Sequence, residues 1–183
     1  MAAFLAGLGN KPTQFPDCCP AVSRPLLDTL LETLPASPAL SLSIGCGNGF
    51  LEGLLLALSQ EEPRKTLLLH GVEVPSCVNK HLPESQLLRV PSTTSLHSDA
   101  MLATALMFIY PRSVSLVARY LESFYLGALD TVVWLGHESD WSDFEPHFLC
   151  HFDRVRHVSD AGIAQYERLV IGTWPKAVAE DYL

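Results

Sequence analysis

Three glycines at alternate positions, Gly45, Gly47 and Gly49, stand between an extended apolar run and a helical one. This arrangement limits the fold more than any other feature of the chain. Residues 40–44 alternate leucine or isoleucine with serine, as a strand does, and residues 50–60 carry leucines at helical spacing. Glycine at a strand-to-helix turn lets the backbone bend tightly and approach a ligand with no Cβ in the way. The helix that follows offers unpaired N–H groups to a carboxylate or phosphate. In an open α/β sheet ligands settle at this same edge, beyond the carboxyl ends of the strands. A P-loop is excluded because no Gly-Lys-Ser/Thr follows, and a dinucleotide fingerprint is weakened because Phe50 stands where its third glycine or alanine belongs.

The rest of the chain supports an α/β domain. Gly7, Gly9, Pro12, Pro16 and Pro20 make residues 1–22 an irregular lead-in. Ser23 is placed to cap a helix with Pro25 in its first turn, and leucines at 26, 27, 30, 31 and 34 recur at helical spacing until Pro35. Strands are expected at 40–44, 67–74, 86–90, 105–110 and 131–135, with helices at 50–60, 113–125 and 141–151. Two last strands at 152–158 and 166–174, with Ser159-Asp160-Ala161-Gly162 between them, permit an antiparallel pair. The expected fold is a Rossmann-like three-layer sandwich: a mostly parallel seven-stranded sheet, helices on both faces and a C-terminal antiparallel hairpin, with residues 23–183 as one domain. A chain of 183 residues that is 48% hydrophobic and 17% charged can bury a core of that size.

The run Ser43-Ile44-Gly45-Cys46-Gly47-Asn48-Gly49 resembles the first motif of class I S-adenosylmethionine-dependent methyltransferases, in which a strand enters G-x-G-x-G. Across residues 23–174 the order of elements is also similar to that family. The resemblance implies that Ser43, Gly45, Cys46, Gly47, Asn48 and Gly49 line the cofactor S-adenosyl-L-methionine, the glycine loop taking its methionine part. It implies further that Glu73, at the end of the second strand, grips the ribose hydroxyls, which one carboxylate can do by accepting from both. The competing reading of Glu73 is a strand-end acid in solvent. The family usually has an acid where this chain has Ser43, and that acid helps to hold the cofactor's cationic amino group. Exchanging a charged hydrogen bond for a neutral one weakens binding by about tenfold. The fourth strand ends in Ile109-Tyr110-Pro111-Arg112, not in the Asn/Asp-Pro-Pro-Tyr/Phe motif of amino-group methylases, so base or glutamine-amide methylation is not supported.

Methyl transfer needs a positioned nucleophile and, often, a base. The ends of strands four and five offer Tyr110, Arg112, His137 and Glu138: His137 as a general base, Arg112 for an anionic substrate group, and Tyr110 to stack on or hydrogen-bond the acceptor. Polar capping of strand ends is the competing account of all four. No metal site is expected. His147, Cys150 and His151 have helix-compatible spacing but lack further ligands, so they read as two solvent-facing histidines and a small buried cysteine. The five cysteines include no CxxC pair, which argues for reduced thiols. The net charge of −8 and the neighbours of Arg154 and Arg156, Asp153 and Asp160, disfavour nucleic acid as a direct substrate. Every apolar run is too short to span a bilayer. These features together lead to the expectation of a cytoplasmic protein (or a nuclear one) that methylates a small molecule or a protein side chain, with a protein partner completing the substrate site. A methyltransferase-like binding or scaffold subunit without catalysis is the alternative.

Overall fold

The computed structural model describes residues 1–16, 18–61 and 65–174. Seven strands form one sheet in the order β3-β2-β1-β4-β5-β7-β6. They are β1 (Leu40–Ile44), β2 (Leu68–Glu73), β3 (Leu87–Arg89), β4 (Ala103–Ile109), β5 (Thr131–His137), β6 (Arg154–His157) and β7 (Glu167–Thr173). Neighbours among β1 to β5 run parallel, whereas β7 is antiparallel to both β5 and β6. The helices are α1 (Ala2–Gly7), α2 (Arg24–Thr33), α3 (Phe50–Glu61), α4 (Val114–Phe124) and α5 (Trp141–His151). This is the expected Rossmann-like sandwich with its C-terminal antiparallel pair.

Period-two alternation along the strands separates two cores. Ala105 and Met107 of β4, Val133 and Leu135 of β5, and Leu169 and Ile171 of β7 pack with α2 and α3. Leu106 and Phe108, Val132 and Trp134, and Val170 face the other way, toward α4 and α5. In β1 the apolar Leu42 and Ile44 join the α4–α5 core, so the buried Ser41 and Ser43 turn to the α3 side. That placement brings Ser43 under the first turn of α3.

Caps fix where the helices begin. The Ser23 hydroxyl accepts from Leu26 N–H at 3.2 Å and donates to the Gly162 carbonyl at 2.7 Å, tying α2 to the β6–β7 connection. Ser113 caps α4 in the same way through Leu116 N–H. Ahead of α2 lie α1, which buries Leu5, and an antiparallel bridge between Thr13 and Val22.

Two local expectations are corrected. The fourth strand stops at Ile109, because Tyr110 takes a left-handed backbone (φ 50°) while its N–H bonds to the Leu135 carbonyl. Such a φ is unfavourable for a bulky residue and is held by its surroundings. Cys150 is exposed rather than buried, since it lies on the solvent side of α5, and the His151 ring nitrogen Nδ1 sits 2.7 Å from the His147 carbonyl. Among the described residues no group of three metal-ligating side chains occurs, and no helix is long and apolar enough to cross a membrane.

Candidate functional site

The β1–α3 turn builds the site. Gly45, Gly47 and Gly49 have φ of 76°, 60° and 79°, a region that side-chain-bearing residues rarely enter. Gly45 and Gly47 also have open space where a Cβ would project. The loop is therefore glycine-rich both for its backbone and for the room above it. Asn48 fixes the turn: its side-chain Oδ1 accepts from Phe50 N–H at 3.0 Å. The Asn48 carbonyl accepts from the N–H groups of Lys80 and His81 in the segment that follows β2. Glu73, at the end of β2, accepts from Gly47 N–H through Oε2 at 2.9 Å and from Val74 N–H through Oε1 at 2.8 Å. Cys46 lies against Gly71, where an added Cβ would meet its Sγ at 2.5 Å.

Under this loop is an acid that the sequence reading did not single out. Glu52, in the first turn of α3, is 2% exposed. Its Oε1 accepts the Ser43 hydroxyl at 2.5 Å, and its Oε2 is buried with no hydrogen-bond partner. Burial pushes its carboxyl up to about 7. The bonds from Ser43 and from its own backbone N–H oppose that rise, and the charge of Glu73 adds to it. Burial, then Glu52, also push up the thiols of Cys18 and Cys46, which therefore stay protonated. The signal available in the sequence was a lone acid in an apolar helical run, three residues past Gly49.

Residues 13–16 and 18–22 lie across the loop as a strap. Phe15 packs on Phe50 with ring centroids 5.1 Å apart. Between strap and loop remains a cavity of about 70 Å³, bordered by Cys18, Cys19, Gly45, Cys46, Gly47 and Glu52. Glu167, at the start of β7 and 5% exposed, anchors the strap. Its Oε1 accepts from Ala21 N–H at 2.9 Å and from the Tyr110 hydroxyl at 2.8 Å, and its Oε2 accepts from Ala164 N–H. Burial, followed by the bond to Glu167, raises the Tyr110 phenol above its usual range, so it serves as a donor and not as a base.

A second cavity of about 340 Å³ adjoins the first at Cys19. Tyr110, Arg112, Trp134, Asp140 and Asp143 also border it. The structure thus gathers Ser43, Gly45, Cys46, Gly47, Asn48, Gly49 and Glu73 around one loop and sets Tyr110 and Arg112 on the neighbouring cavity. His137 and Glu138 do not border that cavity. His137 is exposed, stacked on Tyr166 and 2.8 Å from the Ser139 hydroxyl. Glu138 pairs with Arg168 at 2.7 Å.

No protein-family model matches the sequence, and comparison with curated proteins finds no relative. Solved structures do match. The S-adenosylmethionine-dependent methyltransferase SibL, in its apo form, aligns with a TM-score of 0.57 at 14% identity over 82% of this chain and 55% of SibL. This chain thus spans little more than half the length of that enzyme. A SAM-dependent methyltransferase from Aquifex aeolicus aligns with a TM-score of 0.58 at 14% identity, over 82% of this chain and 89% of its own. The hMettl16 catalytic domain, in complex with a MAT2A 3′UTR hairpin, aligns with a TM-score of 0.56 at 12% identity, over 90% of this chain and 76% of its own. The chain has the class I methyltransferase-like fold, and no subfamily is distinguished.

Proposed function

We propose that this chain binds S-adenosylmethionine along the glycine loop and transfers its methyl group to a small molecule or a protein side chain. The observation that carries the proposal is the open space over Gly45 and Gly47, flanked by the carboxylates of Glu73 and Glu52. The donor set suits the cofactor. The positive end of the α3 dipole suits an amino-acid carboxylate. Glu73 spends one lone pair of each oxygen on N–H groups and keeps the others for ribose hydroxyls. The cofactor supplies an electrophilic methyl group on a sulfonium centre. Tyr110 and Arg112 then face the acceptor from the larger cavity, whose volume falls at the small end of ordinary ligand pockets. That volume favours a small-molecule acceptor. The expectation that net charge disfavours nucleic acid is not supported, since the hMettl16 neighbour of the same fold is in complex with a MAT2A 3′UTR hairpin.

The cofactor's amino-acid arm then enters the space of about 70 Å³ between strap and loop. The alternative is a non-catalytic binding subunit. It is favoured by three of the four strand-end candidates being engaged in other bonds, Tyr110 with Glu167, His137 with Ser139 and Glu138 with Arg168. Calorimetric titration with S-adenosylmethionine tests the binding, with Gly47→Arg filling the space over the loop. Micromolar binding that the variant abolishes supports the reading, whereas a folded wild type that binds nothing at millimolar cofactor overturns it. Methyl transfer from labelled cofactor then separates the enzyme from the scaffold.

A further inference from the structure

A carboxylate in the first turn of an apolar helix, 2% exposed, calls for a counterpart, because buried charges persist where they are paired. Within the protein the groups that act on Glu52 are Ser43 on β1, its own backbone N–H, and Glu73 on β2; none is a cation. The facing thiols, Cys18 on the strap and Cys46 on the loop, are held protonated. Glu52 nevertheless borders the small cavity, and its Oε2 has no partner.

The chemistry of that cavity is two-sided. The loop N–H groups of Gly45, Cys46, Gly47 and Gly49 have acceptors within the protein, so the start of α3 favours negative charge through its dipole, and the unpaired oxygen of Glu52 favours a cation beside it. A ligand end that carries both charges on one carbon, an α-amino acid, matches the pair. Ser43 links this to the missing motif acid: its hydroxyl holds Oε1 of Glu52, so a carboxylate reaches the place where position 43 itself offers none.

We infer that Glu52, held by Ser43, binds the cationic α-amino group of the cofactor's amino-acid arm in place of an acid at position 43. The inference rests on the cofactor reading above. It makes Glu52 a binding residue for one arm of the ligand and leaves adenine and ribose to other groups.

The test compares S-adenosylmethionine, S-adenosylhomocysteine and 5′-methylthioadenosine, the last lacking the amino-acid arm, by calorimetry on the full chain. Glu52→Gln weakens the first two about tenfold and leaves methylthioadenosine within twofold, while adding Ser43→Asp to that variant recovers most of the loss. Affinity of the wild type for S-adenosylhomocysteine falls as pH drops from 8 to 6, and that of Glu52→Gln does not. Should Glu52→Gln not fold, Ser43→Ala and the wild-type pH profile carry the same test, with a smaller loss and a weakened pH dependence expected. Undiminished S-adenosylmethionine binding by Glu52→Gln, or equal loss of all three ligands, overturns the inference while the cofactor reading stands. A wild type that binds none of the three overturns both.

Discussion

Glu52 shows at the scale of one residue how a site sets its own stability. Its carboxyl titrates near 7 in the folded chain, against 4.5 for the free side chain. Between those values the folded state holds a proton that the unfolded state has released. Stability from this group is therefore full below pH 4.5 and is lost as pH rises through 7. The loss amounts to about 3 kcal/mol. Glu52→Gln keeps an acceptor for Ser43 and removes the charge, so its stability gain over the wild type is expected to grow from near zero at pH 4 to about 3 kcal/mol at pH 8. Urea unfolding at the two pH values measures it, and a gain that is the same at both contradicts the assignment. Glu167 acts instead as a hub of accepted hydrogen bonds. Glu167→Ala strands Ala21 N–H, Ala164 N–H and the Tyr110 hydroxyl together and should cost about 2–4 kcal/mol, with faster hydrogen exchange at Ala21 as the local sign.

At the scale of elements, the helix caps join parts of the chain that are distant in sequence. Ser23 both begins α2 and holds the β6–β7 connection through Gly162. Ser23→Ala is expected to destabilise the fold by about 1–3 kcal/mol, and Ser23→Thr, which keeps the oxygen, by less; chemical denaturation ranks the two. The elements themselves were legible because their signals are local. The alternation of Leu40 to Ile44, the cap Ser23 with Pro25, and the bounds of α5 all follow from neighbours a few residues apart. The glycine loop was legible for the same reason, since a strand-to-helix turn needs no distant partner to specify it. Side-chain direction at strand ends was not. His137 and Glu138 stand at the expected edge, yet pairing with Tyr166 and Arg168 across the antiparallel β7 turns them away from the cavity. Tyr110 is likewise directed by Glu167, which is 57 residues further on. Glu52 was missed because only the facing of Ser41 and Ser43 toward α3, a matter of tertiary packing, brings a hydroxyl beneath it.

For the whole molecule, binding at one loop should be felt as global stability, because the strap, Tyr110 after β4 and β7 are joined through Glu167 and the two cores share one sheet. Free S-adenosylmethionine at about one hundred times its dissociation constant adds about 2.7 kcal/mol. For a chain of this length that raises the melting temperature by about 5–10 °C. Differential scanning fluorimetry with and without the cofactor reads the shift, and Gly47→Arg should show none. The strap also has a consequence in time. Ala21 and its anchor Glu167 are 146 residues apart, so on the ribosome, at about 5–20 residues per second, the anchor is made about 7–30 s after the segment it holds. From Gly49 onward in that interval the glycine loop exists while Glu167, the anchor of its cover, does not. The strap is therefore fastened only after the start of β7 has been made.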